Sequence, residues 1–371
     1  MGLPPGTTLD VDVIDSSKHE AEPASDAAGW LPALRVKLDE ESAAGRFAGA
    51  VLVAQGRRRI FAQAYGLADR EQMIPNQLFT RFRNGSISKI FTAVAITQLV
   101  QAGGVDLTAP LGTYLTDYPN RDLAAKVTIH HLLTHTGGTG DIFVPEYMER
   151  REQVRTIADY LTLLGQRGPE FEPGARADYS NYGYILLGAV IEKVSGQNYY
   201  DYVDEHVFKL AGMASTGSLP EETMVPDRAV GYTADSDHGG RNTATLPYRG
   251  TSASHGYTTV EDLWRFATAL TGHRLLDARH TDLMTTGKVD PGWRGPFIGY
   301  GCVEEIVYGI RAFGAAGAAP GMSGDLTIYP DSGYIIAVLA NIDPPIAQQV
   351  ATFICHRLPV TRQNPPSTTP S

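Results

Sequence analysis

Strand patterns at the two ends of the chain, with helical patterns between them, limit the possible fold more than any other feature. Residues 49–65 contain two apolar runs on either side of a Gln55-Gly56 turn, which predicts a β-hairpin. Residues 325–340 repeat this arrangement around turn-forming residues at 330–333. Since each hairpin needs a partner to bury its apolar face, we predict that the two ends share one sheet.

Helical spacing of apolar residues predicts the remaining elements. It predicts helices at residues 30–44, 86–102 and 345–358. We therefore predict an α+β fold, with an antiparallel sheet built from both termini and flanked by helices. We expect a single catalytic unit over 29–358, its sheet regions at 29–84 and 285–358, and a mostly helical region inserted at about 105–284. A cleft between the two parts is the expected ligand site.

Composition and charge exclude several classes of function. The formal net charge is -10, and Lys and Arg form no stripe, so we expect no nucleic-acid partner. No apolar stretch approaches the roughly 20 residues that span a bilayer, so we expect no membrane partner. Residues 1–28 lack the features of a secretory signal, which predicts a cytoplasmic protein with a flexible N-terminal arm. Residues 359–371, rich in Pro, Ser and Thr, predict a disordered tail.

The motif Ser86-Ile87-Ser88-Lys89 is the first candidate for chemistry. A serine hydroxyl is a weak nucleophile without a base. Positions i and i+3 of a helix share a face, so the amine of Lys89 would lie near the hydroxyl of Ser86. Taken alone, the motif is more typical of a helix that is capped by Ser86 and carries a solvated Lys89.

The motif Tyr179-Ser180-Asn181 is the second candidate. It precedes an apolar helical pattern, and a tyrosine at such a junction can project into a cleft and relay a proton. Asn181 can bind a substrate carbonyl or hold the lysine. In the alternative reading, Tyr179 packs in the core and Asn181 caps the helix.

Three histidines, His130, His131 and His135, lie close together in the chain. Their spacing fits no common zinc motif, so we expect no metal ion. We interpret His135 as a residue that hydrogen-bonds backbone in a Gly-rich loop. No other motif indicates a cofactor, and we expect none.

Three long blocks resemble the β-lactamase-related serine hydrolase superfamily, which includes class C β-lactamases, penicillin-binding DD-peptidases and family VIII carboxylesterases. Residues 85–115 resemble its nucleophile helix, 127–138 its T-I-x-x-L-L-x-H-T-S-G block, and 173–213 its Y-x-N region. The resemblance covers residues 30–358 and implies a β-lactamase/DD-peptidase-like fold. It also implies that Ser86 forms an acyl-enzyme, that Lys89 takes its proton, and that Tyr179 acts with Lys89 as general base and acid.

The resemblance assigns supporting roles as well. Asn181 would contact the acyl amide or ester, and His135 would be structural. The backbone amides of Ser86 and Ala318 would form the oxyanion hole, and Gly317 would allow close approach of the backbone.

The third motif of the superfamily, Lys-Thr-Gly or His-x-Gly, departs from its usual form. In the run Phe313-Gly314-Ala315-Ala316-Gly317, the position of the Lys or His is Ala315. The polar or cationic side chain that helps to bind a substrate carboxylate is therefore missing. This departure disfavours β-lactam hydrolysis and DD-peptidase activity.

Three hypotheses of function fit these residues. The first is a serine esterase or amidase that acts on a small-molecule acyl substrate. The second is an acyltransferase (transacylase) of natural-product biosynthesis that passes the acyl group to an amine or alcohol. The third is an inactive binding protein on the same fold. Residues 141–155 and 235–251, with Phe143, Tyr147, Tyr248 and Arg249, are the expected specificity loops.

Overall fold

The computed structural model describes residues 29–234, 240–292, 295–307 and 309–360. The predicted arm at 1–28 and residues 361–371 of the predicted tail lie outside the described residues. The domain boundaries drawn from the sequence stay a prediction.

An antiparallel sheet of seven strands, in the order β2-β1-β11-β10-β9-β8-β7, organises the molecule. The strands, in chain order, are β1 (Gly49–Gln55), β2 (Arg58–Tyr65), β3 (Leu67–Asp69), β4 (Ile74–Pro75), β5 (Phe82–Arg83), β6 (Tyr257–Thr258), β7 (Phe297–Ile298), β8 (Val303–Val307), β9 (Ile310–Ala319), β10 (Met322–Tyr329) and β11 (Tyr334–Ala340). Strands β3 and β4 pair with each other, as do β5 and β6, outside the large sheet.

Helices cover the sheet and fill the middle of the chain. They are α1 (Trp30–Ala43), α2 (Ser88–Gln101), α3 (Arg121–Lys126), α4 (Ile129–Leu133), α5 (Pro145–Arg150), α6 (Ile157–Leu164), α7 (Asn181–Ser195), α8 (Tyr199–Val203), α9 (Val260–Thr271), α10 (Ala278–Thr285) and α11 (Ile346–Cys355). Across the described residues, no helix is both long and apolar enough to cross a membrane.

The α+β fold with one sheet from both termini is confirmed. β1 pairs with β11 along its whole length, from Gly49 opposite Ala340 to Gln55 opposite Tyr334. The two predicted hairpins are β1–β2 and β10–β11. The pairing of β1 with β11 places an N-terminal and a C-terminal strand side by side in the interior of the sheet, where both strands are buried.

Alternation along β1 explains the two layers of core. Ala50, Leu52 and Ala54 face the cluster formed with α2, α7 and α9. Val51 and Val53 face the opposite cluster, which includes residues of α1 and α11. Because side chains alternate between the faces of a strand, a strand that is buried on both faces reads as a continuous apolar run.

The helix that carries Lys89 begins differently from the prediction. The prediction placed Ser86 in the first turn of one helix, whereas residues Gly85–Ile87 form a 3₁₀ turn and α2 begins at Ser88. Gly85 has a φ of 48°, so the chain enters this turn through the left-handed region that glycine adopts without strain. α2 is then buried on almost every side, which makes it the central helix of the molecule.

Candidate active site

Ser86 lies on the tight turn between β5 and α2, with its side chain half-buried. The turn packs against β9: a Cβ built on Gly85 would lie 3.0 Å from Gly317 Cα and 3.1 Å from Ala318 N. Glycine at 85 therefore serves both the conformation of the turn and its contact with the strand. The result is a serine hydroxyl held between the first turn of α2 and the end of β9.

Lys89 is buried and points at Ser86. Its Nζ donates hydrogen bonds to Ser86 Oγ at 3.2 Å, Asn181 Oδ1 at 2.7 Å and the Ala253 carbonyl at 2.7 Å. Only 3% of the residue is exposed, and Ser86 caps no helix. The interpretation of a capping serine beside a solvated lysine is therefore wrong. Three acceptors match the three protons of an ammonium group, which explains how the lysine is tolerated inside the protein.

The burial of Lys89 changes its acidity. It lowers the pKa of Lys89 to about 7, although the Asp141 carboxylate acts in the opposite direction. Removing an ammonium group from water disfavours its charged form. Near neutral pH, Lys89 is thus present in part as the free amine, which can accept the proton of Ser86.

Tyr179 approaches Ser86 from the N-terminal side of α7. Its hydroxyl donates a hydrogen bond to Ser86 Oγ at 2.7 Å. Half of the residue's surface is exposed, and the hydroxyl is the end that lies beside Ser86. Burial there raises the pKa of Tyr179 well above its ordinary value, and the hydrogen bond with Ser86 acts against that shift. Tyr179 therefore remains a protonated phenol beside Ser86.

Asn181 connects Lys89 with Asp141. Its Oδ1 accepts from Lys89, while its backbone N–H and its Nδ2 donate to Asp141 Oδ1 and Oδ2 at 3.2 and 3.1 Å. The N-cap of α7 is Ser180, whose hydroxyl accepts from the Gly183 N–H at 2.9 Å. Asn181 does not cap the helix and is free to orient the lysine.

His135 packs against Tyr179 and binds the backbone of Ser180. Its Nδ1 accepts a hydrogen bond from the Ser180 N–H at 3.1 Å, and its ring stacks on Tyr179 with 4.5 Å between centroids. Burial lowers the pKa of His135 to about 3, so it is a neutral acceptor. The predicted backbone hydrogen bond is present. In the described part of the chain, no three His, Cys, Asp or Glu side chains are grouped to hold a metal ion.

The end of β9 forms the other side of the site. A Cβ built on Gly317 would lie 2.2 Å from the Asn84 carbonyl oxygen and 3.1 Å from Ser86 N, so only glycine fits here. Ala318, the next residue, is exposed, and its backbone lies against the Gly85 turn. Ala315 packs against the core cluster that contains Ile87. The structure thus brings Gly317 and Ala318 beside Ser86, and Ala315 supplies only a methyl group.

Sequence reasoning missed three contributors to the site. Asp141 binds Asn181 with both carboxylate oxygens, Ala253 offers its carbonyl to Lys89, and the His255 N–H donates to the Gly85 carbonyl at 3.3 Å. The available signal for Asp141 was its place directly after a Gly-rich loop. A backbone carbonyl such as that of Ala253 leaves no signal in the sequence.

The predicted specificity residues divide into two kinds. Phe143, two residues beyond Asp141, is 53% exposed and free to contact a ligand. The prediction that Tyr147 lines the pocket is wrong, since Tyr147 is buried and stacks on Tyr160. Arg249 donates to the Ser218 carbonyl and lies over the Tyr200 ring, which makes it part of the scaffold. Residues 235–239 of the second predicted loop lie outside the described residues.

Comparison with known proteins places this geometry in context. A family model described as Beta-lactamase matches residues 34–354. Among solved structures, a penicillin binding protein from Bacillus halodurans is 34% identical, with a TM-score of 0.78 over 86% of this chain and 98% of that one. A D-stereospecific amidohydrolase from Streptomyces sp. is 27% identical, with a TM-score of 0.72 over 86% of this chain and 97% of that one.

Curated relatives match over a shorter part. Esterase EstB from Burkholderia gladioli is 32% identical over 220 residues, which are 54% of this chain and 55% of EstB. Two further relatives, both from Bacillus subtilis, are covered over 59% and 43% of their length. The chain therefore spans about half the length of the curated relatives that it matches.

Proposed function

The chain belongs to the beta-lactamase family, a family of serine hydrolases, and we propose that it is a serine acyl-enzyme that takes its acyl group from an ester or amide. The observation that carries this proposal is the convergence of two side chains on Ser86 Oγ, with Lys89 Nζ at 3.2 Å and the Tyr179 hydroxyl at 2.7 Å. Similarity to an esterase and to an amidohydrolase supports the choice of acyl donor.

In the proposed acylation, Lys89 acts as the general base. Its neutral amine takes the proton of the Ser86 hydroxyl while Oγ attacks the carbonyl carbon of the substrate. The lowered pKa of Lys89, about 7, makes the amine available near neutral pH. Asn181 and the Ala253 carbonyl hold Nζ in place, so that the proton moves over a single short distance.

Tyr179 is assigned to the leaving group. A phenol whose pKa is raised is a poor base at neutral pH, but it can donate its proton as the C–O or C–N bond of the tetrahedral intermediate breaks. The proton that Lys89 took from Ser86 then passes to Tyr179 and restores its phenol. The cycle balances, because the leaving alcohol or amine departs with the proton of Tyr179, which the proton from Ser86 replaces. Deacylation repeats these transfers in reverse, with water or another acceptor in place of the leaving group.

The amides of Ser86 and Ala318 are the proposed oxyanion hole. The contact between the Gly85 turn and β9 brings this part of the backbone together. Backbone N–H groups held in a rigid turn and strand stabilise developing negative charge without reorganisation. Removal of one such donor typically costs about 100- to 1000-fold in rate.

The substrate class follows from the side chains around Ser86. Ala315 offers no hydrogen bond or positive charge to a substrate carboxylate, so the proposed substrates are esters or amides that bind without such a contact. Penicillins and D-Ala-D-Ala peptides carry that carboxylate and are expected to be poor acyl donors. Hydrolysis and acyl transfer use the same residues, so the acceptor is decided by experiment.

The test is steady-state turnover of p-nitrophenyl esters by the natural protein, Ser86→Ala and Ser88→Ala. Ser88 is the matched control, since it is a buried serine two residues away whose hydroxyl donates to Asn84 Oδ1 at 3.0 Å. We expect Ser86→Ala to abolish turnover and Ser88→Ala to retain it. Turnover that survives in Ser86→Ala refutes the proposal. With added amines, an amide product at the expense of free acid identifies an acyltransferase.

A further inference from the structure

His255 is a histidine in an unfavourable backbone conformation beside the nucleophile. Its φ is 72°, in the left-handed region that glycine adopts without strain. Its N–H donates to the Gly85 carbonyl at 3.3 Å, and the Gly256 carbonyl accepts from the Asn84 N–H at 3.0 Å. Since Ala253 also binds Lys89, residues 253–256 form a flank of the site in direct contact with the nucleophile turn.

The imidazole of His255 has no structural task comparable to that of other histidines. His130, His131 and His135 each bind a neighbour through a ring nitrogen, at 2.8, 3.3 and 3.1 Å. Within the described residues, neither ring nitrogen of His255 has a hydrogen-bond partner, and the residue is only partly exposed. A strained backbone and a free polar ring are typical of a residue that serves a ligand.

The charges around His255 define what it can bind. Burial lowers the pKa of His255 to about 3, and the Arg83 and Lys89 cations act in the same direction. The ring is therefore neutral, with one nitrogen that donates and one that accepts. In positive surroundings, an electron-rich oxygen is the favoured partner for the donating nitrogen. Arg83 itself is engaged by Glu221, so the imidazole is the group with free hydrogen-bonding capacity.

We propose that His255 determines substrate specificity by donating a hydrogen bond to a carbonyl or carboxylate oxygen in the acyl group of the substrate. The proposal rests on the proposed function, in which Tyr179 serves the leaving group and the flank at 253–256 is left for the acyl group. His255 would then supply a polar contact to the substrate from residues 253–256, whereas Ala315 on β9 supplies none. The substrate class is then an ester or amide whose acyl group carries a second oxygen acceptor.

The test compares three p-nitrophenyl esters that share a leaving group: a butyrate, an N-acetylglycinate and a hemisuccinate. His255→Gly suits the backbone, so its melting temperature should not fall. We expect its preference for the polar acyl groups over butyrate, as a ratio of kcat/KM values, to fall roughly tenfold, the effect of one lost hydrogen bond. If the preference for N-acetylglycinate falls, the oxygen that His255 binds is a carbonyl oxygen. If the preference for hemisuccinate falls, it is a carboxylate oxygen. An unchanged ratio for both overturns the proposal.

Two further variants sharpen the result. His255→Asn tolerates the left-handed conformation and keeps a donor, so it should recover part of the preference. His273→Gly is the matched control, because His273 also has a positive φ, 55°, and lies after α9 with its ring on Thr281. It should leave the ratio unchanged.

A binding experiment separates this proposal from the proposed function. If no ester acylates Ser86, the proposed function fails, and His255 is then tested by NMR of its ring in Ser86→Ala protein. Addition of N-acetylglycine or N-acetylglycinamide should shift the His255 ring resonances, and butyramide should shift them less. Absence of any shift with the polar probes at millimolar concentration overturns the proposal independently of catalysis.

Discussion

Two walls surround Ser86, and they differ in the chemical groups that they present. The helical wall, formed by Lys89, Tyr179 and Asn181, presents polar side chains that bind one another and Ser86. The sheet wall, formed by residues 315–318, presents backbone and small side chains. Proton transfer needs side chains with adjusted pKa values, whereas an oxyanion needs only rigid N–H groups. Under the proposed function, the helical wall transfers protons, and the sheet wall stabilises the oxyanion and shapes the site.

The helical wall also contains a buried amine, that of Lys89, whose removal from water must be compensated by hydrogen bonds. A buried amine is stable only when each of its protons meets an acceptor, and Lys89 meets three on separate segments of the chain. The sheet wall has no such requirement. Its constraint is steric, because Gly317 leaves no room for a side chain.

Loss of the base should have the largest effect. We expect Lys89→Met to lower kcat/KM for an activated ester by at least about 100- to 10 000-fold, the range for general acid–base catalysis. Steady-state kinetics measures this loss. Lys193→Met, at an exposed lysine of α7, is the control and should retain activity. A Lys89→Met protein within a few-fold of the parent would mean that the helical wall does not supply the base.

A side chain in the sheet wall should disturb stability as well as activity. Gly317→Ala places a Cβ 2.2 Å from the Asn84 carbonyl oxygen, so the turn or the strand must move. We expect a loss of about 1–3 kcal/mol in the free energy of unfolding, measured by urea denaturation, with a parallel fall in acylation. Ala316→Ser, at an exposed neighbour, should change neither. A fully stable and active Gly317→Ala protein would show that the close approach is unnecessary.

A polar group in the sheet wall should change selectivity. Ala315→His adds a hydrogen-bonding side chain at the position where the family usually has one. We expect the rate of acylation by a penicillin to rise roughly tenfold, the effect of one added hydrogen bond, relative to an activated ester. Intact-protein mass spectrometry over time measures both rates. No gain with the penicillin would show that residue 315 is not the missing part.

Asp141 should tune the helical wall without carrying the reaction. Its carboxylate raises the pKa of Lys89, which burial holds near 7. In the proposed mechanism the neutral amine of Lys89 is the active base, so activity should rise with pH through that value. Asp141→Asn removes the charge and lowers the pKa of Lys89, so the rising limb of the pH–rate profile should move to lower pH. Asp178→Asn, at an exposed aspartate paired with Arg176, is the control. A limb that stays in place or moves to higher pH contradicts this role.

Local patterns in the sequence predicted the parts of the molecule that depend on near neighbours. The hairpins β1–β2 and β10–β11 follow from alternation and turn residues, and the proximity of Ser86 and Lys89 follows from helical spacing. The meeting of Tyr179 with Ser86, 93 residues apart, depends on tertiary packing, and only the family resemblance implied it.

The remaining features of the site could not be predicted from the sequence, because they depend on contacts between distant segments. Asp141 binds Asn181, so its place in the site depends on hydrogen bonds between a loop and the start of α7, 40 residues apart. His255 adopts its positive φ where it contacts the turn at Gly85, and the sequence does not indicate which histidine will adopt this conformation. The start of α2 was misplaced because the tightness of the Gly85 turn is set by its contact with β9.

The most direct test of the account is the location of the acyl group. After brief reaction with an activated ester and an acid quench, trypsin should cut at Arg83 and Lys89 and release residues 84–89, which contain Ser86 and Ser88. Fragmentation of this peptide distinguishes the two serines. We expect the added acyl mass on Ser86 alone and its absence in the Ser86→Ala protein. Acyl mass on Ser88, or on another peptide with none on Ser86, would contradict it.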